Sequence, residues 1–88
     1  FPYPIYSKWA AAYQGVAEAQ FNLAQMYYVG EGVSKNRRKA AYWMERAANQ
    51  GYAKALSKLG DMYLNGDGVT QDAGKARELY LRADSPAD

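Results

Sequence analysis

The chain contains neither cysteine nor histidine. The first absence excludes a disulfide framework and thiolate metal sites. The second removes the side chain that most often does acid–base work near neutral pH, and with it the commonest metal ligand. No apolar run approaches the roughly 20 residues that a bilayer-spanning helix requires. Excess charge is also small: 11 basic and 9 acidic residues leave a net +2, too little to indicate a nucleic-acid binder. At 88 residues the expectation is one small domain, and small chains bury a low fraction of their surface. Stability has to come from helix packing, from a neighbouring chain, or from further repeats. The chain starts at Phe1 without an initiator methionine, which reads as a processed product or an excised domain. Phe1–Ile5 is too short and proline-rich for a signal sequence.

What the chain does contain is a repeat. A shift of 36 positions superposes Gly15 on Gly51, Ala17 on Ala53, Ala19 on Ala55 and Leu23 on Leu59. The same shift pairs Met26 with Met62, Tyr27 with Tyr63, Gly30 with Gly66, Gly32 with Gly68 and Val33 with Val69. It continues through Lys39 and Lys75, Ala40 and Ala76, Arg46 and Arg82, and Ala47 and Ala83. Upstream, Tyr6, Ala11 and Ala12 match Tyr42, Ala47 and Ala48. The chain therefore divides into three parts. Residues 1–14 are the trailing helix of a preceding repeat or an N-terminal capping helix, 15–50 a first full repeat, and 51–88 a second with the C-terminal end.

Each copy reads as helix, glycine loop, helix. Ala19, Leu23, Met26 and Tyr27 fall at i, i+4, i+7 and i+8, one apolar face of a 3.6-residue period. Gly30 and Gly32 end that helix, because glycine enters the left-handed conformation without a Cβ clash. Asn36 and Asp72 stand where an N-cap would accept a backbone N–H from the following helix. Ala40 and Ala47, with Ala76 and Ala83, are small residues seven apart that admit a close neighbour. The opening segment fits a lone helix over about residues 4–14, proline being acceptable in a first turn. The expected fold class is all-α, a solenoid of helix-turn-helix repeats with about five helices.

The run Ala17-Glu18-Ala19-Gln20-Phe21-Asn22-Leu23-Ala24-Gln25-Met26-Tyr27, the Gly30-x-Gly32-Val33 loop, Lys39-Ala40 and Ala47-Ala48 together resemble the Sel1-like repeat, a relative of the tetratricopeptide repeat. The second copy departs from the pattern at Ser57, where the first has Phe21, and at Asp84, where the first has Ala48. The resemblance covers about residues 6–84. It implies a right-handed α/α superhelix serving as an adaptor or scaffold for protein complexes, often bacterial; the compartment stays open, periplasm and cytoplasm alike. It implies little about any one partner.

Solenoids bind through surface left free after stacking. On the first helix of each copy, Glu18, Asn22, Gln25 and Val29 share one face, and their counterparts are Lys54, Lys58, Asp61 and Asn65. By analogy with tetratricopeptide stacks these eight residues form the candidate groove for a protein or peptide, against the alternative of an ordinary solvated face. Lys35-Asn36-Arg37-Arg38-Lys39 is the densest charge cluster. Arg37 and Arg38 become Ala73 and Gly74 in the second copy, so no continuous basic stripe forms and no nucleic-acid partner is expected. Tyr27, Tyr63 and Trp43 read as core. Tyr28 and Tyr52 are candidate exposed anchors. The aromatic start, Phe1, Tyr3, Tyr6 and Trp9, invites self-association if left bare. Because about three repeats are needed for independent stability, the expectation is homodimerisation through that end or excision from a larger array. Two other readings stay open: a spacer with no ligand of its own, and a carbohydrate binder using the surplus tyrosines.

Catalytic readings fail on chemistry, and no cofactor or metal is expected. Ser7, Ser34, Ser57 and Ser85 are scattered and lack a nucleophile-elbow motif. Ser57 and Lys58 are adjacent and point apart on a helix. Glu31 and Asp67 sit between glycines in turns where nothing would raise a carboxylate's pKa. Asn65-Gly66-Asp67-Gly68 lacks the alternating acidic ligands and closing glutamate of a calcium loop. Gly30-x-Gly32 follows a helix rather than a strand, so it is no dinucleotide fingerprint.

Overall fold

The computed structural model describes residues 8–84, with side chains from residue 11 onward. Five helices follow one another: α1 (Lys8–Tyr13), α2 (Ala17–Val29), α3 (Arg37–Asn49), α4 (Ala53–Asn65) and α5 (Ala73–Asp84). No strand occurs among the described residues. The main contacts run between helices consecutive in the chain, the quasi-one-dimensional packing of a repeat stack. The aromatic start, and its expected role in dimerisation, lies outside the described residues.

The boundaries come from the glycines and caps. Gly30 and Gly66 close α2 and α4 with φ of 81° and 68°, and their N–H groups bond the carbonyls of Met26 and Met62. Each loop then folds back on its helix, as Asn36 N–H reaches Tyr27 O and Asp72 N–H reaches Tyr63 O, both at 2.9 Å. Asn36 and Asp72 cap α3 and α5 as expected, accepting from Lys39 N–H and Lys75 N–H at 3.0 Å. A helix whose first turn is capped in this way gains about 1 kcal/mol over an alanine cap.

The core is built largely of small residues. Ala12, Ala19, Ala24, Ala40, Ala47, Ala48 and Ala55 are buried alongside Leu23, Met44, Leu56, Leu59, Met62 and Leu79. Alanine at a crossing lets two helix axes approach towards the short end of the usual 8–10 Å. Trp43 is buried as expected, while Tyr27 and Tyr63 pack against the core half-buried.

One core residue departs from the apolar pattern. Gln20 is only 1% exposed, at the position that Leu56 fills in the second copy. Its Nε2 donates to Ala12 O at 3.2 Å, and its Oε1 accepts from Gln50 Nε2 at 2.9 Å. Gln50 Nε2 also reaches Gly15 O at 2.8 Å. The amide pair thus joins α1, α2 and the end of α3. In the second copy leucine cannot donate, and the carbonyl equivalent to Ala12, that of Ala48, accepts instead from Arg82 Nη2 at 3.3 Å. Both helix-end carbonyls receive a side-chain donor, supplied by different residues.

Candidate functional site

Two surfaces bear on function: the outward face of α2 and α4, and the seam where the loop of one repeat meets the next. On α2, Glu18 in the first turn and Asn22 are exposed, Gln25 is half-buried, and Val29 is 61% exposed. Asn22, Gln25 and Val29 line one shallow open depression together with Met26 and Glu31. Its floor mixes a thioether, an aliphatic side chain, two amides and a carboxylate. That lining offers hydrogen bonds and apolar contact but no converging set of reactive groups.

The α4 counterparts behave differently. Lys54 and Asn65 are exposed. Lys58 is half-buried, with its Nζ 3.9 Å from the centroid of the Tyr28 ring. Asp61 accepts a hydrogen bond from Tyr80 Oη at 2.5 Å. That contact holds the Tyr80 hydroxyl above its usual pKa, because the neutral phenol donates to a carboxylate. Both residues therefore have partners within the chain.

The seam is a clasp that spacing did not reveal. Arg37, the first residue of α3, sends Nη1 to both carboxylate oxygens of Asp67, at 2.8 and 2.7 Å, and Nε to Tyr28 O at 2.8 Å. Tyr28 Oη donates to Asp67 Oδ2 at 2.6 Å. The Arg37 guanidinium lies 3.8 Å from the Tyr28 ring centroid. Lys58 Nζ lies 3.9 Å from the same centroid, so two cations are attracted to the π density of one ring. Tyr28 is thus no free anchor: it is half-buried with two cations against it. Gly68 completes the seam, since a Cβ there would collide with the Arg37 backbone carbonyl. Asp67 also sits near the N-terminus of α3, where its charge offsets both Arg37 and the helix dipole.

The electrostatics follow from this geometry. The Asp67 carboxyl is held below the usual range, first by the Tyr28 hydroxyl donating to it and then by Arg37, with partial burial opposing. The Tyr28 hydroxyl is pushed up, chiefly by that same bond and next by burial. Burial, with Glu45 nearby, raises Tyr63 as well. None of these shifts brings a group towards neutrality, where a general acid or base would work. Among the described residues no group of three acidic, histidine or cysteine side chains stands close enough to hold a metal ion.

The Sel1 repeat family matches residues 17–52 and again 53–83. The chain belongs to the Sel1 repeat family. Solved structures agree. A Sel1 repeat protein from Oxalobacter formigenes is similar over 83% of this chain and 55% of its own, with 41% identity and a TM-score of 0.82. The c5321 protein, a protective antigen of uropathogenic Escherichia coli strains with the same fold, is similar over 86% of this chain and 16% of its own, with 41% identity and a TM-score of 0.85. The chain spans about half the length of the first of these and a smaller part of the second. No curated protein matches the sequence.

Membership makes this an all-helical Sel1 solenoid segment, and Sel1 repeats are non-enzymatic scaffolds that generally mediate protein–protein interaction. Among the described residues no helix is long and apolar enough to cross a membrane. Within this Sel1 pair, sequence reasoning found the exposed α2 face and missed the clasp. It read Arg37 only as part of a local charge cluster and Asp67 only as a carboxylate in a glycine turn. One signal was available for Gln20: a polar residue at a position the other copy fills with leucine marks a core site.

Proposed function

We propose that this Sel1 pair is a protein-interaction module that seats a peptide or protein segment along the α2 face and continues onto α4, as part of an adaptor or scaffold in a bacterial complex. The observation that carries the reading is the depression of Asn22, Gln25, Met26, Val29 and Glu31. None of its side chains is tied into the clasp or the buried amide pair, so the surface is free to pair with something else. Exposed Val29 supplies an apolar contact at the rim, and the amides of Asn22 and Gln25 supply directional donors and acceptors. Lys54 and Asn65 extend the surface on α4, whereas Lys58 and Asp61 shape it while held by Tyr28 and Tyr80.

The test is selection of binding peptides from a random displayed library, followed by affinity measurement on variants. Val29→Glu and Gln25→Arg should each weaken the selected peptides at least tenfold, with helicity unchanged by circular dichroism. Lys75→Glu, on α5, should leave affinity within twofold. A library that yields no saturable binder, or binders indifferent to both groove changes, supports the spacer reading instead.

A further inference from the structure

A second surface, away from the α2 depression, has chemistry of its own. Tyr13 on α1 and Tyr42 on α3 are 66% and 55% exposed. Their rings make T-shaped contacts with Trp43, with centroids 5.0 and 5.2 Å away and planes near perpendicular. Tyr13, Tyr27, Arg38, Lys39, Tyr42 and Trp43 line an open depression of about 420 Å³. Arg46 borders it, 5.6 Å from the centroids of both Tyr42 and Trp43 and 3.4 Å from the Tyr42 hydroxyl. Lys39 Nζ stands 5.5 Å from the Tyr27 ring centroid.

The patch has cations and no anions. Arg38, Lys39 and Arg46 have no carboxylate partner among the described residues. The one acidic residue of α3, Glu45, lies close enough to Tyr63 of α4 to help raise its hydroxyl pKa, after burial. Neither α1 nor residues 1–7 contain an acidic side chain.

The second copy shows what is missing. Lys75, the counterpart of Lys39, pairs at 3.8 Å with Glu78, the counterpart of Tyr42. The first copy puts an exposed phenol where the second puts the neutralising carboxylate. Three cations ringed by aromatic faces would accept a carboxylate together with a ring or aliphatic side chain.

We propose that the Tyr13–Tyr42–Trp43 surface with Arg38, Lys39 and Arg46 is a docking site for an acidic peptide segment bearing an aromatic or apolar residue among its carboxylates. A nucleic-acid strand is disfavoured because the basic surface ends within one repeat: the counterparts of Arg38 and Tyr42 are Gly74 and Glu78. This site is independent of the α2 depression, and either can be wrong without the other.

The experiment titrates the 88-residue chain with the synthetic peptide Glu-Glu-Phe-Glu-Glu, following the ring resonances of Tyr13, Tyr42 and Trp43 by NMR. Its neutral counterpart Gln-Gln-Phe-Gln-Gln and a uridine oligonucleotide serve as competitors. The expected result is saturable shifts at those three rings, affinity falling with added salt, and at least tenfold weaker binding of the neutral peptide. Arg46→Gln and Tyr42→Ala should each weaken the acidic peptide several-fold with helicity retained, while Val29→Glu leaves it unchanged. No saturation, equal affinity for the neutral peptide, tighter binding of the oligonucleotide, or shifts centred on Asn22 and Gln25 would each overturn the proposal. So would a doubling of solution mass that already perturbs the three rings without peptide, since the surface would then be an interface between copies.

Discussion

Gly60 lies directly against the ring of Tyr80, so close that an added Cβ would stand 2.7 Å from Cε1. In the first copy the same two positions hold Ala24 and Met44, both fully buried. One copy uses a methyl and a flexible thioether, the other no side chain and a flat ring. The volume lost on one helix is regained on its partner, and the helix pair keeps its spacing.

Gly60→Ala should therefore destabilise the protein, although alanine is the better helix former by about 1 kcal/mol. Overpacking costs about 1–3 kcal/mol, so the net loss should be about 1 kcal/mol. Adding Tyr80→Met, which restores the first copy's pair, should recover most of it despite losing the exposed bond to Asp61. The check is a double-mutant cycle by thermal melting. Additive effects would mean that the two positions do not share volume.

Across the repeat boundary, Asp67→Asn keeps the shape of the clasp and removes its negative charge. Both partners are partly solvent-exposed, so screening limits the loss to about 1 kcal/mol, or about 4–8 °C in Tm for a domain of this size. Asp67 titrates below the ordinary carboxylate value when folded. Its contribution is thus present above about pH 4 and lost as pH falls through the lowered folded pKa. Tyr28 is raised, so the same contact is lost at the alkaline end, as pH climbs from about 10 through the raised folded value. These are two views of one hydrogen bond and do not add. The Tm difference between wild type and Asp67→Asn should be flat at neutral pH and shrink in acid. A difference constant down to pH 2 would remove the charge from the account.

Gln20→Leu copies the second repeat's choice into the first. It leaves Ala12 O with the Gly15 N–H as its one remaining donor and removes one acceptor of Gln50, which retains Gly15 O and water. The expected cost is about 1–2 kcal/mol, read as a lower midpoint in urea with an unchanged slope. If the variant matches or exceeds wild type, the amide pair contributes no net stability there and leucine is simply the better core residue.

The contrast between Gln20 and Arg37 shows what the sequence could reveal. Helix order, glycine stops and the Asn36 and Asp72 caps are local, and local chemistry repeats every time the unit does. The α2 face was legible for the same reason: Asn22, Gln25 and Val29 recur at helical spacing. The clasp was not, because Arg37 and Asp67 belong to different copies and Arg37 is matched by Ala73, so the carboxylate that recurs at Glu31 and Asp67 has its cation on one side only. Nothing periodic reports a contact made once, between a helix start and a loop 30 residues apart. Lys58 and Asp61 show the same limit. Spacing puts them on the outward face, and it does not show that each also meets an aromatic ring of another helix, Tyr28 for half-buried Lys58 and Tyr80 for exposed Asp61.

That distinction separates two lysines that sequence alone treats alike. Lys54 is exposed, and Lys58 covers one face of the Tyr28 ring beside Asp61 and Asp67. Lys54→Glu should leave stability within about 0.5 kcal/mol of wild type, as most exposed surface changes do. Lys58→Glu should cost about 1 kcal/mol or more, because it removes a cation–π contact and sets a third carboxylate near two others. If the groove reading is right, Lys54→Glu should nevertheless alter the affinity of peptides selected on the α2 and α4 face, while Lys58→Glu alters affinity and Tm together. Equal effects of the two changes on Tm would place Lys58 in solvent and dissolve the cation pair around Tyr28.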